Sequence, residues 1–226
     1  MPRQLSFDLP AKPALGRADF FVSPANALAV ALIDRAQDWP GGKLVLSGPE
    51  GAGKTHLVHV WAAQSGARIV AARDLPRADI PALAAGPVAV EDVPEIARDH
   101  GAQEALFHLH NLGRAEGQPL LLTGRGTPNH WGLTLPDLQS RLDAAGHARL
   151  EPPDDALLAA VLAKLFADRQ ITPRPDVIPY LLGRMDRSFA DAARLVARLD
   201  RLALSEKRNL TRALAARGIG ADGGLG

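Results

Sequence analysis

One octapeptide constrains the fold of this 226-residue chain more than any other feature. Residues 48–55 read GPEGAGKT and match the pattern G-x-x-x-x-G-K-[ST], with an apolar run before them at 43–48 and a helical pattern after them at 53–64. Glycines let the backbone wrap closely around phosphate oxygens, and the N-terminus of the following helix favours an anion. A glycine-rich turn that matches by chance is the alternative, but the strand–loop–helix setting predicts a loop that binds a purine nucleotide.

Each residue type in this loop has a chemical reason. The Lys54 ammonium can reach the β- and γ-phosphates, and the Thr55 hydroxyl can ligate Mg²⁺. The predicted cofactor is therefore ADP or ATP together with Mg²⁺. The residues predicted to contact it from this loop are Gly48, Pro49, Glu50, Gly51, Ala52, Gly53, Lys54, Thr55 and His56.

A second acidic element follows a neighbouring apolar run, PVAVED at 87–92. If this run is a strand beside the phosphate-binding loop, Glu91 lies near the Mg²⁺ ion and Asp92 can orient a water molecule for hydrolysis. The alternative is a pair of ordinary solvated acids at a strand end. Glu91 stands where an aspartate is more usual, so we expect intrinsic ATP hydrolysis to be weak or absent.

Apolar runs alternate with helical patterns through the first two thirds of the chain. Five runs are predicted strands, at 43–48, 67–72, 87–92, 119–124 and 147–152. Strands separated by helices predict an α/β fold, with a parallel sheet of five strands flanked by helices. The first helix is expected to start near Pro24, with Ser23 as its N-cap.

The organisation changes after Pro153, where the strands stop and helical patterns follow one another. We therefore divide the chain into four parts. These are an extended arm (1–17), a nucleotide-binding α/β domain (18–152), a small helical domain (153–219) and a glycine-rich tail that we expect to be flexible (220–226).

Composition narrows the function classes. The 26 basic and 25 acidic side chains nearly balance, so no global field attracts nucleic acid. The absence of cysteine excludes disulfides, thiolate metal sites and cysteine nucleophiles. No apolar stretch reaches about 18 residues and no signal pattern opens the chain, so we expect a cytoplasmic protein with no membrane partner.

With these elements in place, the chain resembles the AAA+ ATPases of the DnaA clade. The segment FFVSPANALAV is similar to the clade's region ahead of the phosphate-binding loop, which implies that Val22 and Asn26 lie by the adenine. The run LLLTG is similar to the sensor 1 strand, which implies that Thr123 lies near the γ-phosphate. The helices after residue 153 then correspond to the clade's helical lid.

The segment LPDLQSRLDAAGHARLEPPD resembles the region that carries the clade's arginine finger. Leu135, Leu138 and Leu142 are spaced to face the core, which leaves Arg141 on a different face. The resemblance implies that Arg141 projects into the nucleotide of a neighbouring molecule and stabilises charge on the transferring phosphoryl group. A surface arginine in a salt bridge is the alternative.

Two positions depart from the clade's pattern. The sensor 2 position, where the clade often has an arginine, is Ala190, and Arg187 and Arg194 are offset from it. Arg125 stands where the clade often has an acid after the sensor 1 strand. The elements that bind nucleotide are thus intact and those that hydrolyse it are altered, which favours a regulator that holds ADP or ATP as a conformational ligand.

The N-terminal arm contains RQLSFDLP, in which apolar and polar residues alternate. One interpretation is a short strand added to the edge of the domain's own sheet. The other is an extended ligand, because Gln4, Leu5, Ser6, Phe7 and Leu9 resemble the clamp-binding peptide of the Hda family of shortened DnaA homologues. That resemblance implies two partners, the sliding clamp of DNA polymerase and the DnaA initiator.

The resemblance spans roughly residues 18–215, and we find no counterpart of DnaA's helix-turn-helix or helicase-interaction domains. We therefore expect no intrinsic sequence-specific DNA-binding domain. The implied function is that of a replisome-associated regulator that docks on the DNA-loaded clamp. There it promotes hydrolysis of DnaA-bound ATP, which limits re-initiation of chromosome replication. Self-association as a homodimer is left open. The alternative is an autonomous P-loop ATPase, similar to DnaA or a helicase loader, that remodels a replication complex.

Overall fold

The computed structural model describes residues 21–206 and 209–220. Its five strands are β1 Lys43–Ser47, β2 Arg68–Ala71, β3 Val88–Glu91, β4 Leu120–Gly124 and β5 Gly146–Arg149. Its α-helices are α1 Ala27–Ile33, α2 Lys54–Ser65, α3 Ile80–Ala84, α4 His100–Ala115, α5 Pro136–Asp143, α6 Asp155–Asp168, α7 Val177–Leu182, α8 Phe189–Glu206 and α9 Arg212–Gly220. The predicted arm, with Gln4, Leu5, Ser6, Phe7 and Leu9, lies outside the described residues, as does most of the predicted tail.

All five strands are parallel, in the order β2-β3-β4-β1-β5. This confirms the predicted α/β sheet. Ser47 at the end of β1 pairs with Gly124 at the end of β4, and Glu91 ends the next strand, β3. The loops that follow these three strands therefore meet at one edge of the sheet, where ligands of open parallel sheets bind.

Helices cover both faces of the sheet, and the central strands β1 and β4 are buried along their whole length. On one face α4 and α5 pack through Leu106 and Leu138, and on the other α1 and α2 pack through Ile33 and Trp61. Burying each such side chain contributes about 1.5–3 kcal/mol to folding, which holds the strand ends and their loops in place.

The helices after residue 153 have a core of their own. On α8 the buried residues Ala192, Leu195, Val196 and Leu199 follow the i, i+3, i+4, i+7 spacing of one helix face. This face packs against α6 and α9, with Phe166 and Leu214 in the same cluster. No helix in the described ranges has the combined length and apolar character to cross a membrane.

The start of α1 differs from the prediction. The helix begins at Ala27 with Asn26 as its N-cap, three residues later than expected. The Ser23 hydroxyl accepts a hydrogen bond from the Ala25 amide (3.2 Å), and the Asn26 side chain accepts one from the Ser23 amide (2.9 Å). These local bonds satisfy the backbone in a turn, so Ser23 caps the turn and not the helix.

Candidate nucleotide-binding site

The phosphate-binding loop joins β1 to α2. Gly51 and Gly53 have φ values of +72° and +96°, in the left-handed region that favours glycine. Gly53 is the N-cap of α2, so the free amide groups of the helix's first turn open toward the loop. The loop therefore has the backbone geometry that an anionic ligand requires.

Lys54, the first residue of α2, is folded back onto the loop. Its Nζ donates hydrogen bonds to the carbonyl oxygens of Gly48 (2.9 Å) and Pro49 (2.8 Å), and only 8% of the residue is exposed. Burial lowers the pKa of the ammonium, and the nearby Asp92 carboxylate opposes that effect. A phosphate offers this desolvated cation a stronger, charge-assisted partner than neutral carbonyl groups do.

The start of α8 closes over the loop. The Phe189 amide donates a hydrogen bond to the Gly51 carbonyl oxygen (3.1 Å). A Cβ atom at Gly51 would lie 2.3 Å from Cβ of Ser188, and one at Gly53 would lie 2.8 Å from the Phe189 ring. The two glycines are thus required by the close approach of the helical domain as well as by φ. Sequence reasoning missed Ser188 and Phe189, because no local pattern announces this contact.

Two acidic residues stand at the end of β3, beside the loop. Glu91 ends the strand, and its Oε1 is buried without a hydrogen-bond partner among the described residues. Asp92 has φ +56° and ψ +47°, an uncommon conformation for a residue other than glycine. Its amide donates a 3.1 Å hydrogen bond to Oγ1 of the buried Thr123 on β4. The structure therefore brings together the predicted acids and the predicted sensor 1 residue.

These residues fit a nucleotide with Mg²⁺. The glycine loop and Lys54 form a cationic cradle for phosphates. The orphaned Glu91 oxygen is an acceptor for a cation, and Thr55 lies in the first turn of α2 with an exposed side chain. Mg²⁺ in NTPase sites is held by one or two such protein oxygens together with phosphates and water. The part of each residue in binding stays a prediction.

The residues predicted to lie by the adenine are placed differently from each other. Val22 is 52% exposed, whereas Asn26 is buried. The Asn26 side chain accepts a hydrogen bond from Ser23 and donates one to the Phe21 carbonyl oxygen (2.9 Å each), so it shapes the segment. The Glu151 amide donates to the Ala25 carbonyl oxygen, which fastens this segment beyond β5. Adenine contact by Val22 and Asn26 stays a prediction.

Arg125 immediately follows β4 and reaches the phosphate-binding loop. Its Nη1 lies 2.9 Å from Oε2 of Glu50 in an exposed ion pair. The Trp131 indole N–H donates to the Arg125 carbonyl oxygen (2.9 Å), which fixes the backbone at this point. The departure from the clade's pattern noted in the sequence is therefore located at the site itself.

Arg141 lies away from this edge. It is exposed on α5, whose Leu138 and Leu142 are buried, and it precedes the amino end of β5. The pKa of His110 is lowered to about 4, first by burial and then by the charge of Lys43, the first residue of β1. The positive charge of Arg141 also lowers this pKa, by less. Arg141 therefore belongs to the opposite edge of the sheet from its own phosphate-binding loop, and its action on another molecule's nucleotide stays a prediction.

The helical domain presents its own arginines elsewhere. Ala190, at the predicted sensor 2 position, is exposed in the first turn of α8. Arg187 pairs with Asp155 (2.9 Å), and Arg194 pairs with Asp191 (3.0 Å). Both guanidinium groups are thus engaged by carboxylates of the same helical domain.

No protein-family model matches the sequence. Comparison with solved structures finds domain III of the replication initiation protein DnaA from Thermotoga maritima, with a TM-score of 0.80 and 18% identity over 94% of this chain and 98% of that one. The chain has the AAA+ fold.

Other similar structures share this AAA+ fold at equally low identity. AMPPCP-bound DnaA from Aquifex aeolicus has a TM-score of 0.69 and 18% identity over 85% of this chain and 65% of that one. A variant of RuvB from Thermotoga maritima has a TM-score of 0.68 and 19% identity, over 90% and 71%. The Aquifex protein binds an ATP analogue, and at these identities the likeness to our chain is one of fold.

Proposed function

We propose that this chain is a nucleotide-binding AAA+ regulator of replication initiation, with the role of Hda. The observation that carries the proposal is the combination of a complete phosphate cradle with a lid that contacts it through Ser188 and Phe189, which are uncharged. We expect such a site to bind nucleotide, and neither of these two side chains is a cation that could promote hydrolysis. ADP or ATP is then a conformational ligand of a protein acting in the cytoplasm at the replisome.

Each site residue has a task in this proposal. Lys54 and the loop amides bind the phosphates, Thr55 and Glu91 hold Mg²⁺, and Asp92 orients water beside Thr123. Mg²⁺, when bound, neutralises phosphate charge. The hydrogen bond from the Asp92 amide to Thr123 Oγ1 holds these two residues next to each other, so we expect both to respond to whether ATP or ADP is bound.

Arg141 acts on the partner and not on the chain's own nucleotide. Its exposed position before the amino end of β5 suits a contact with ATP held by the DnaA initiator. An arginine supplied in trans stabilises charge in the transition state and raises hydrolysis by roughly 10³- to 10⁵-fold in GTPase systems. The same face also suits a homodimer, in which Arg141 would approach a second copy's nucleotide.

The arm is proposed to dock on the sliding clamp. Alternate side chains of an extended peptide fill apolar pockets, as Leu5, Phe7 and Leu9 would, while the Gln4 amide and Ser6 can bond to polar groups of the groove. Docking would concentrate the regulator near DNA that has just been replicated.

Surface plasmon resonance with the purified clamp tests the docking. The wild type is expected to bind saturably at micromolar concentration or below, and Leu5→Ala/Phe7→Ala to abolish binding. Leu28→Ala is the matched control, since Leu28 is an exposed leucine (65%) outside the arm and should bind as the wild type does. A wild type that fails to bind the clamp removes the clamp from the proposal.

Hydrolysis of DnaA-bound ATP, measured in the presence of clamp loaded on DNA, tests the proposed action of Arg141. Arg141→Ala is expected to lose the stimulation and to keep clamp binding. Arg149→Ala is a control, because Arg149 is an exposed arginine on β5 paired with Glu151 (3.0 Å). Equal stimulation by the Arg141→Ala protein overturns the assignment of the finger.

An autonomous ATPase that remodels a replication complex is the second candidate. The pair of Asp92 and Thr123 supports it, because the hydrogen-bonded pair lies at the same edge of the sheet as the chain's own phosphate-binding loop. It predicts intrinsic ATP turnover that falls with Asp92→Asn and does not change with Leu5→Ala/Phe7→Ala. Turnover that is absent in the wild type rejects this candidate.

A further inference from the structure

Arg125 approaches the phosphate-binding loop from the sensor side. Its guanidinium Nη1 lies 2.9 Å from Glu50 Oε2, in the third position of the loop. The same guanidinium is close enough to Lys54 to lower the pKa of that ammonium. Two cations, one from α2 and one from the end of β4, therefore contact the loop.

The backbone of Arg125 is held in place, while its guanidinium is exposed. The Trp131 indole N–H donates to the carbonyl oxygens of Arg125 (2.9 Å) and Gly126 (3.1 Å). A Cβ atom at Gly124 would lie 2.5 Å from the Trp131 ring, so the strand end and the indole are in close contact. The Arg125 side chain is nevertheless 65% exposed, which lets its guanidinium exchange partners without any change of backbone.

The helical domain contributes no comparable charge from the side chains that contact the loop, Ser188 and Phe189. The neighbouring Arg187 and Arg194 are each held by a carboxylate of their own domain. Arg125 differs from these two arginines in that its partner, Glu50, belongs to the phosphate-binding loop itself.

We propose that Arg125 contacts the outermost phosphate of a bound nucleoside triphosphate in cis, and that its pair with Glu50 is opened when that phosphate takes the carboxylate's place. This inference rests on the nucleotide binding in the proposed function. An exposed arginine–carboxylate pair is weak, whereas a guanidinium and a phosphate form a charge-assisted, bidentate contact. The γ-phosphate can therefore displace Glu50, and Arg125 makes the site distinguish ATP from ADP.

Isothermal titration with ATPγS and with ADP, both with Mg²⁺ at one ionic strength, tests this inference. Arg125→Ala is expected to weaken ATPγS binding by about 10- to 100-fold, the effect of losing one hydrogen bond to a charged group, and ADP binding by less than about 3-fold. Arg125→Lys should recover part of the ATPγS affinity, because it keeps the charge and loses the bidentate geometry. Equal losses for the two nucleotides, or no loss, overturn the inference.

A double-mutant cycle separates phosphate contact from mere neutralisation of Glu50. If Arg125 only screened Glu50, removing Arg125 from the Glu50→Gln protein would leave ATPγS affinity unchanged. Direct contact predicts that Glu50→Gln/Arg125→Ala still binds ATPγS about 10-fold or more weakly than Glu50→Gln does. An affinity equal to that of Glu50→Gln overturns the inference.

Arg217→Ala is the matched control. Arg217 is an exposed arginine paired with Glu206, the last residue of α8. At 1.5 Å per residue, this end of the 18-residue helix lies about 25 Å from the end that contacts the loop, so nucleotide affinity should not change. Clamp binding, measured on the same proteins, is expected to be equal in all variants. A wild type that binds no nucleotide overturns both this inference and the proposed nucleotide ligand, whereas loss of clamp binding alone affects only the proposed function.

Discussion

The amide of Phe189 donates a 3.1 Å hydrogen bond to the carbonyl oxygen of Gly51, which ties the first residue of α8 to the middle of the phosphate-binding loop. This bond joins two parts of the chain that have separate cores. The position of the helical domain and the shape of the loop are therefore coupled. A ligand that reshapes the loop changes a direct contact of the helical domain.

Gly51→Ala is expected to disrupt this contact. Alanine is strained at φ +72°, and its Cβ would lie 2.3 Å from Cβ of Ser188. We expect the free energy of unfolding to fall by about 1–3 kcal/mol and ADP affinity to fall by about 10-fold or more, from loss of the loop's shape. Thermal unfolding and fluorescent ADP titration measure the two effects.

Gly66→Ala is the control for this change. Gly66 also has φ +72°, but a Cβ atom there has no neighbour within 4 Å. It carries the backbone strain alone and should leave ADP affinity unchanged. If both variants lose equal stability and keep ADP affinity, the contact with Ser188 does not matter to the loop.

Thr123→Val removes the acceptor for the Asp92 amide. Valine has nearly the shape of threonine, so packing at this buried site is retained while the amide loses its 3.1 Å partner. We expect the free energy of unfolding to fall by about 1–2 kcal/mol and ATPγS to bind more weakly. Chemical denaturation checks the stability, and Thr123→Ser, which keeps the hydroxyl, should approach the wild type. Wild-type stability in the valine variant would contradict a role in holding Asp92.

His110 predicts a loss of stability in mild acid. Burial and the nearby Lys43 lower its pKa from 6.5 to about 4, so the unfolded chain binds this proton more readily than the folded chain does. Stability is therefore present above pH 6.5 and is lost as the pH falls toward 4, by up to about 3 kcal/mol. Urea unfolding between pH 4 and 7 measures the slope. In the His110→Leu protein this pH-dependent contribution should be absent, so its stability should fall less steeply between pH 7 and 4. A slope equal to that of the wild type would contradict the role of His110.

Lys43 is expected to make the free energy of unfolding depend on pH at the alkaline end of the profile. Burial, with a smaller effect of Arg114, lowers its pKa from 10.5 to about 8, although its Nζ donates to the Gln118 carbonyl oxygen (2.9 Å). Between pH 8 and 10.5 the unfolded chain carries a proton that the folded chain has released, so this group's contribution to stability rises with pH, by up to about 3 kcal/mol. The difference between wild type and Lys43→Met isolates it from other groups. Parallel profiles would refute the prediction.

Much of the α/β architecture is readable from consecutive residues. Alternating apolar runs and helical patterns predicted the five parallel strands, and the GPEGAGKT motif predicted a phosphate-binding loop between a strand and a helix, which are β1 and α2. The acids after β3 were predicted beside it. Each of these signals is local, since periodicity and loop geometry depend on neighbouring residues.

Other features were decided only when the chain folded. The strand order β2-β3-β4-β1-β5 brings Thr123 to Asp92 and Arg125 to Glu50. Ser23 does not cap α1, because its hydroxyl accepts a hydrogen bond from the Ala25 amide within the turn that precedes the helix.

The contact of the helical domain with the phosphate-binding loop is the clearest of these cases. Glycines at positions 51 and 53 were expected for phosphate binding, and the residues around them suffice to specify a loop. Ser188 and Phe189 contact these glycines although they lie more than 130 residues further along the chain. This contact depends on how the two separate cores pack together. Local chemistry determines each element, and only the packing of distant surfaces decides which elements meet.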